Sequence, residues 1–380
     1  RRETSRTGIP FEGATTTPRR ATTADTTLIS VPLSLALGAR TTLEAAGTFA
    51  TDEPTFSDPD EPWGFTFSET RARRTGGRLV LSHERSANRI SIGADLERTK
   101  VDNEDVYGVQ LDGLTTRTWS VFAEDRLSLA RDRFVVTAGV RRDEHDAFGA
   151  SMNPRVALSW KASSAFRLRA AAGSAFRAPA TGELYYPFSG NPALEPERSV
   201  SYEAGAEWSL GGGASLEATV FRSDVKDLIR YDFAFQKNVN VGRARMTGVE
   251  ARLFMPLTKT AWARAAWTRL DTEDRDTGLP LLRRPKQRAS LTVGEDLGRG
   301  ASAEVTGLWI GERDDVDATT YLRVTSPAYF RLDGALTLPP VAWGLSPFVR
   351  ATNLLGRDYA EVAGYPSPGR RFVVGVDVAF

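Results

Sequence analysis

The sequence predicts an all-β fold, a transmembrane antiparallel up-and-down β-barrel with about 18 visible strands. Three observations lead to this prediction. Apolar and polar residues alternate along many segments, short and long connections alternate between these segments, and no apolar run is long enough for a transmembrane helix. Because a strand places successive side chains on opposite faces, the alternation gives each strand one apolar face and one polar face.

The alternation is clearest in the last segment, 369–380, where one face is wholly apolar and the other carries residues such as Gly375 and Asp377. A soluble β-sandwich would alternate as well. Charged residues such as Arg167 and Arg169 also lie deep within a polar face, which favours a water-filled lumen. We therefore expect these residues of the last strand to face lipid: Phe372, Val374, Val376, Val378 and Phe380.

The connections sort into two kinds, as periplasmic turns and extracellular loops do in outer-membrane barrels. The predicted short connections are 38–40, 85–88, 130–132, 162–164, 211–213, 256–259, 298–300 and 339–344. The predicted long connections are 51–64, 101–113, 177–197, 226–237, 271–281, 312–326 and 356–368. The last strand follows a long outer loop and therefore runs from outside to the periplasm. Because successive strands alternate in direction, residues 1–7 form the end of an outward strand, and we expect the chain to start in the middle of a barrel wall.

The composition argues against several classes of function. Lys and Arg number 49 and Asp and Glu 48, so the net charge of +1 argues against a nucleic-acid partner. The chain has no Cys, which excludes thiolate metal sites, and His83 and His145 are its only histidines. No nucleophile elbow, phosphate loop or dinucleotide fingerprint is present, so we do not expect an enzyme.

Two short motifs, 176–179 (the first box) and 191–197 (the second box), are similar to motifs of the TonB-dependent outer-membrane receptors. The matching residues are Phe176, Arg177, Ala178, Pro179, Asn191, Pro192, Leu194, Pro196 and Glu197. The segments 224–229, 240–250 and 353–370 resemble further family motifs in the same order, and the terminal Phe380 resembles an assembly signal. The resemblance therefore covers about residues 176–380 by motif, and residues 1–175 by strand pattern.

The resemblance implies an outer-membrane importer of a scarce, large nutrient. Such receptors have barrels of 22 strands, an N-terminal plug and an energy-coupling box, so 1–380 is expected to be the C-terminal portion of a barrel whose plug and first strands are missing. The implied partners are outer-membrane lipid, the barrel-assembly machinery and the TonB protein. The segments 184–197 and 279–287 look most similar to cobalamin transporters, with a ferric siderophore as the second candidate ligand. A passive porin-like channel and a surface adhesin remain alternatives.

The candidate ligand-contacting residues are Arg177, Tyr185 and Tyr186, since tyrosine offers a large flat surface with a polar tip. The alternative is architectural, because Pro179 cannot donate to a strand ladder and would end the strand before a long loop. No cofactor is expected.

Charged clusters in two predicted outer loops allow further interpretations. Oxygen-rich loops can hold calcium, but the spacing matches no defined calcium loop and the first cluster is rich in proline. The acidic clusters comprise Asp52, Glu53, Asp58, Asp60 and Glu61, and Glu312, Asp314, Asp315 and Asp317. The basic group Arg283, Arg284 and Lys286 suits either anionic lipid or an anionic ligand.

Overall fold

The alternating segments form strands throughout the chain. The computed structural model describes residues 2–8, 11–12, 15–187, 189–232, 236–240, 242–317, 320, 322–341 and 344–378. Eighteen strands among these residues belong to one antiparallel sheet, which confirms the predicted all-β class and the number of strands. No helix in this part of the chain is both long and apolar enough to cross a membrane.

The elements are numbered in chain order. The strands are β1 (Arg2–Gly8), β2 (Phe11–Glu12), β3 (Thr15–Thr16), β4 (Ala21–Gly38), β5 (Thr41–Ser57), β6 (Phe67–Arg85), β7 (Asn88–Asp105), β8 (Gly108–Leu129), β9 (Phe134–His145), β10 (Gly149–Lys161), β11 (Phe166–Arg177), β12 (Glu197–Gly211), β13 (Ala214–Lys226), β14 (Ile229–Asp232), β15 (Lys237–Asn240), β16 (Arg243–Pro256), β17 (Ala261–Asp274), β18 (Gln287–Gly298), β19 (Ala301–Ile310), β20 (Arg313–Val316), β21 (Arg323–Ser326), β22 (Tyr329–Thr337), β23 (Leu345–Thr352), β24 (Ala360–Val362), β25 (Tyr365–Pro366) and β26 (Arg371–Val378). One short helix, α1 (Thr181–Tyr185), lies between β11 and β12. The pairs β2–β3, β14–β15, β20–β21 and β24–β25 form separate small hairpins.

The chain divides into two units. Unit 1 comprises Arg1–Ser159, Ala171–Ser201 and Asp224–Arg243, and unit 2 comprises Trp160–Ala170, Tyr202–Ser223 and Ala244–Phe380. In unit 1 the strands from β4 to β9 each pair with the next one along the chain. In unit 2 the same holds from β16 to β19, then to β22, β23 and β26.

The pairing of β23 with β26 separates an apolar face from a polar one. The cross-strand pairs of the apolar face are Leu345–Val378, Pro347–Val376, Val349–Val374 and Ala351–Phe372. The other face pairs Ser346 with Asp377 and carries Arg350. Phe372 is 63% exposed and Val374 75% exposed, as expected for side chains that contact lipid. The four predicted residues 372–378 thus share one exposed apolar face, and Phe380 lies outside the described residues.

The predicted short connections that lie within the described residues are confirmed, for example the two-residue turns at 39–40 and 86–87, whereas part of 339–344 lies outside those residues. The predicted long loop at 101–113 is wrong, because β7 and β8 continue pairing as far as Asp105 and Gly108. Two features allow the strands to continue. The backbone N–H of Gly113, at φ +58°, donates to Asp102 Oδ1 (2.6 Å) at a register shift, and Tyr107 N donates to Asp105 Oδ1 (2.8 Å) in the closing turn.

On the polar faces, aromatic rings repeatedly cover glycines on the neighbouring strand. Each ring is also contacted by a guanidinium group, a cation–π arrangement. The directly opposed pairs are Phe122 over Gly93, Trp262 over Gly294 and Phe348 over Gly375. The guanidinium carbons lie 5.3 Å (Arg78) and 5.7 Å (Arg141) from Phe122, 5.0 Å (Arg264) from Trp262 and 4.6 Å (Arg350) from Phe348. A side chain at any of these glycines would collide with the ring, so glycine and ring form complementary pairs.

Candidate functional site

The loop 178–196 of unit 1 contains α1 and joins β11 to β12. Pro179 cannot continue the ladder of β11, and the chain turns into α1 immediately afterwards. The carboxylate of Glu183, three residues after Ala180, accepts the Ala180 backbone N–H at 2.7 Å and so caps the helix. Leu184, only 1% exposed, anchors the helix to the protein.

Arg177 closes the base of this loop. Its guanidinium donates to Glu183 Oε2 at 3.0 Å and to Glu197 Oε1 at 2.7 Å, and Glu197 also accepts the backbone N–H of Ile229 at 2.9 Å. The two sequence boxes are therefore joined by an ion pair between the arginine of the first and the glutamate of the second. This contact supports the architectural interpretation of the boxes.

Tyr185 and Tyr186 are adjacent in sequence but have different surroundings. The hydroxyl of Tyr186 donates to Asp105 Oδ2 at 2.6 Å, which ties the loop to the end of β7. Burial, followed by this hydrogen bond to Asp105, raises the pKa of Tyr186 to about 12. The side chain of the half-buried Tyr185 makes no hydrogen bond within the described residues. Of the three predicted contact residues, Arg177 and Tyr186 are thus engaged in internal contacts, whereas the hydroxyl of Tyr185 is not.

We expect Tyr186→Phe to loosen the loop 178–196. Removing the hydroxyl takes away one hydrogen bond to a buried carboxylate, a cost of roughly 1–3 kcal/mol in local stability. Because the pKa of Tyr186 is raised, its hydroxyl is fully protonated and donates to Asp105 at every pH below about 10, the unperturbed value. This hydrogen bond is lost as pH rises through about 12. Hydrogen exchange at 181–187 should therefore be faster in the variant by the same factor at any pH between about 6 and 9. Tyr185→Phe is the control, and an equal effect there would contradict the assignment.

The second box is held by asparagines of β15. Asn240 Nδ2 donates to the backbone oxygens of Glu195 (2.8 Å) and Asp227 (2.7 Å), and Asn240 Oδ1 accepts the Glu195 N–H at 2.7 Å. Asn191 Nδ2 donates to the Asn238 carbonyl at 2.9 Å. Neither Asn238 nor Asp105 is among the residues predicted from the sequence. The Asn-x-Asn spacing before Gly242, and Glu183 at a capping position, were signals that could have indicated these contacts.

A cavity of about 710 Å³ opens on the polar face of unit 1. Its lining includes five arginines, Arg78, Arg89, Arg126, Arg141 and Arg155. Arg141 is the most constrained, since it donates to Asp143 Oδ1 at 2.8 Å, to Ser120 Oγ at 2.7 Å and to Asp95 Oδ2 at 2.5 Å. Such a wall of hydrogen-bonded charges is typical of a wet interior and not of a packed apolar core.

In unit 2, Asp315 joins three loop segments. The Asp315 side chain is fully buried and accepts hydrogen bonds from Arg283 Nε (2.7 Å), Ala363 N (2.8 Å) and Val316 N (2.8 Å). Burial disfavours the charged form of Asp315, but the bonds from Ala363, Arg283 and Val316 outweigh it, so the pKa of this carboxyl is lowered. These bonds connect the loop after β17, the β20–β21 hairpin and the turn after β24.

The predicted basic group is divided by this arrangement. Arg283 is held by Asp315, whereas Arg284 and Lys286 line a cavity of about 290 Å³ together with Glu312 and Asp314. Within the described part of the chain, the Lys286 ammonium forms no hydrogen bond or ion pair. The cavity therefore offers one cation that an anionic ligand could contact without first displacing an internal partner.

The acidic clusters are largely occupied by protein groups. Asp60 Oδ1 accepts from Arg19 Nε at 2.8 Å, Glu61 Oε2 accepts the Trp63 N–H at 2.9 Å, and Asp314 forms an ion pair with Arg323 at 2.8 Å. Among the residues with described positions, no three His, Asp or Glu side chains are grouped to hold a metal ion. The expectation of no cofactor, with loop calcium as the alternative interpretation, stays a prediction.

Comparison with known proteins identifies the fold. Residues 3–354 match the family described as TonB dependent receptor-like, beta-barrel. One similar solved structure is a ferric enterobactin receptor mutant from Pseudomonas aeruginosa, with a TM-score of 0.80, 19% sequence identity and 99% of this chain covered. The ferric-catecholate import receptor Fiu from E. coli has a TM-score of 0.74, 15% identity and 97% coverage. The siderophore receptor PirA from Acinetobacter baumannii has a TM-score of 0.76, 15% identity and 95% coverage.

The chain covers 66%, 66% and 63% of the lengths of these three receptors. At such low identity the structural likeness establishes the fold alone, whereas the family match extends over most of the chain. Membership of a receptor family agrees with the expectation that the chain is not an enzyme. The chain belongs to the β-barrel family of TonB-dependent receptors.

Proposed function

We propose that this chain is the barrel part of an outer-membrane receptor that imports a ferric siderophore with energy delivered by TonB. The observation that carries the proposal is the family match across 3–354. The likeness of almost the whole chain to a ferric enterobactin receptor and to a ferric-catecholate import receptor supports the choice of ligand. A plug and coupling box would belong to the part of such receptors that this chain does not cover.

One basic side chain in the outer loops of unit 2 is available to an anionic iron chelate. Arg284 and Lys286 line the cavity of about 290 Å³, and Lys286 has no internal partner among the described residues. Cationic side chains contact carboxylates and catecholates through charge-assisted hydrogen bonds, which are about twice as strong as neutral ones. Cobalamin, the ligand first suggested by 184–197 and 279–287, receives no support from the receptors compared above.

In unit 1 we propose Tyr185 as the ligand-contacting member of the predicted trio. Its hydroxyl is not used internally, whereas Tyr186 is bound to Asp105 and Arg177 to Glu183 and Glu197. In this proposal Arg177 and Tyr186 act by holding the loop in place. A stacked tyrosine typically contributes about 1–2 kcal/mol to binding, roughly five- to thirtyfold in affinity.

The test is uptake of radioactive iron by cells that lack their own siderophore receptors and express the full-length receptor. We expect saturable uptake of a ferric catecholate that disappears when TonB is deleted. A passive pore would instead give uptake that neither saturates nor requires TonB. Saturable, TonB-dependent uptake of cobalamin but not of a ferric siderophore would leave the transporter class intact and overturn the ligand.

The contact residues are tested separately by binding to the purified full-length receptor. Tyr185→Ala and Lys286→Gln should each weaken ferric-siderophore binding about fivefold or more, while Lys259→Gln, in a short turn between β16 and β17, is a control for the loss of a surface charge. Unchanged affinity in either variant would show that the substituted residue does not contact the ligand.

A further inference from the structure

The face of β6, β7 and β8 opposite the polar cavity carries a compact group of cations. Cross-strand pairing places Arg98 directly opposite Arg117, and Arg73 directly opposite Lys100. Thr75 lies opposite Arg98 on β6, so the two pairs occupy adjacent rows of the same face. We call these four residues, Arg73, Arg98, Lys100 and Arg117, the basic block.

The basic block is poorly neutralised by the protein itself. Among the described residues, the side chains of Arg73, Arg98 and Arg117 make no hydrogen bond or ion pair, and Lys100 lies 3.9 Å from Asp102. Glu144, which shares the face, is bound by Arg142 at 2.8 Å. Like charges directly opposite each other on neighbouring strands are destabilising, so an anion bound between Arg98 and Arg117 would relieve their repulsion.

Immediately next to the block, the same face is apolar. Leu96 lies opposite Trp119, Ala94 opposite Val121, and Leu79 opposite Ala94. Leu96 is 66% exposed and Val121 46% exposed, as side chains in contact with lipid would be. The block therefore continues an apolar surface and is not an isolated patch on a loop.

The position of the block along the strands corresponds to a membrane–water interface. The short turn at 86–87 marks the periplasmic end of β6 and β7. Arg98 and Arg117 lie roughly one membrane crossing, about 9–11 residues, beyond that end. Trp119, in the row next to Arg117, is an exposed aromatic residue of the kind that lines such interfaces, and the Arg142 guanidinium lies 6.0 Å from its ring.

We propose that the basic block and the adjoining apolar face bind a phosphorylated, multiply acylated glycolipid of the outer leaflet, a lipid A-type molecule. The guanidinium groups of Arg98, Arg117 and Arg73 bind the phosphates, since arginine matches phosphate oxygens in a forked geometry. The acyl chains lie on the face formed by Leu79, Leu96 and Val121. This inference rests on the barrel spanning a membrane and is independent of the nutrient that the receptor imports.

The chain offers a matched control for this proposal. Arg89 and Arg126 also form a directly opposed arginine pair on β7 and β8, but they line the cavity on the other face. Replacing either pair by glutamine removes two charges from the same two strands. The two double variants, Arg98→Gln with Arg117→Gln and Arg89→Gln with Arg126→Gln, differ in the face that loses its charge.

The experiment measures binding of purified lipid A, with two phosphates and six acyl chains, to the delipidated full-length receptor in detergent by native mass spectrometry. We expect the Arg98→Gln, Arg117→Gln receptor to bind roughly tenfold or more weakly than wild type, because it loses two guanidinium groups that bind phosphate through charge-assisted hydrogen bonds. The cavity-facing double variant should bind like wild type. Lipid A stripped of its phosphates should bind wild type as weakly as phosphorylated lipid A binds the first variant.

The proposal is overturned if wild type binds phosphorylated and dephosphorylated lipid equally, or if the Arg98→Gln, Arg117→Gln receptor keeps wild-type affinity. A folding defect is separated from a binding defect by thermal unfolding in lipid-free detergent. There this variant should be at least as stable as wild type, because the repulsion between the two arginines is removed. The comparison of the two lipids on wild-type protein tests the proposal even if the variant does not fold.

Discussion

Asp315→Ala is expected to separate the outer loop segments of unit 2. The change leaves the backbone N–H groups of Ala363 and Val316 without their acceptor, at about 1–3 kcal/mol each. Arg283 is 50% exposed and can be solvated by water, so we assign no further loss to its ion pair. The expected cost is about 2–6 kcal/mol of local stability, measured as faster hydrogen exchange at 313–316 and 360–363.

The control is Asp314→Ala, which removes a neighbouring carboxylate that is partly exposed and paired with Arg323. It should change exchange in these segments by less than about 1 kcal/mol. Because the pKa of Asp315 is lowered, its contribution is present above about pH 4, the unperturbed value, and is lost as pH falls through the folded pKa. Equal effects of the two variants would show that Asp315 is not the central contact.

Val376→Arg is expected to impair folding into a bilayer by roughly 2–4 kcal/mol. Val376 is 54% exposed on the apolar face of β26, opposite Pro347, and an arginine there would place a charge against lipid. The measurement is reversible unfolding of the full-length receptor in lipid vesicles.

Ser346→Arg is the control for Val376→Arg. It tests whether the loss of stability comes from placing an arginine on the apolar face or from the added charge alone. Ser346 precedes Pro347 on β23 and pairs with Asp377, so the new arginine would lie at the same height on the polar face, opposite a carboxylate. We expect almost no loss of stability. A neutral Val376→Arg, or an equal cost for both variants, would contradict the assignment of the apolar face to lipid.

The fold could be predicted from the sequence because alternating strands and short turns are recognised from residues that are close together in the chain. The period of two in 372–378 and the short turns such as 86–87 require only local information, and the strands follow them closely. The error at 101–113 has the opposite cause. Asp102 and Gly113 stabilise a bulge through a contact between two strands, and no local pattern distinguishes such a bulge from a loop.

The candidate site was less predictable because its contacts join distant segments. Tyr186 and Asn191 lie in a loop that has no periodic pattern, and they bond to Asp105 of β7 and to Asn238 of β15. The resemblance to a family indicated that Arg177 and Glu197 matter. Only the geometry indicates that they bind each other and thereby hold the loop.

The aromatic rings that cover glycines have a consequence for how the strands find their partners. A shift of one residue between neighbouring strands exposes polar side chains to lipid and is strongly disfavoured. A shift of two residues preserves the alternation completely, so lipid cannot distinguish it from the native pairing. The fit of Phe122 over Gly93, Trp262 over Gly294 and Phe348 over Gly375 does distinguish the two, because a two-residue shift sets each ring against a different residue. These pairs therefore act as register marks that select the correct alignment while the hairpins assemble.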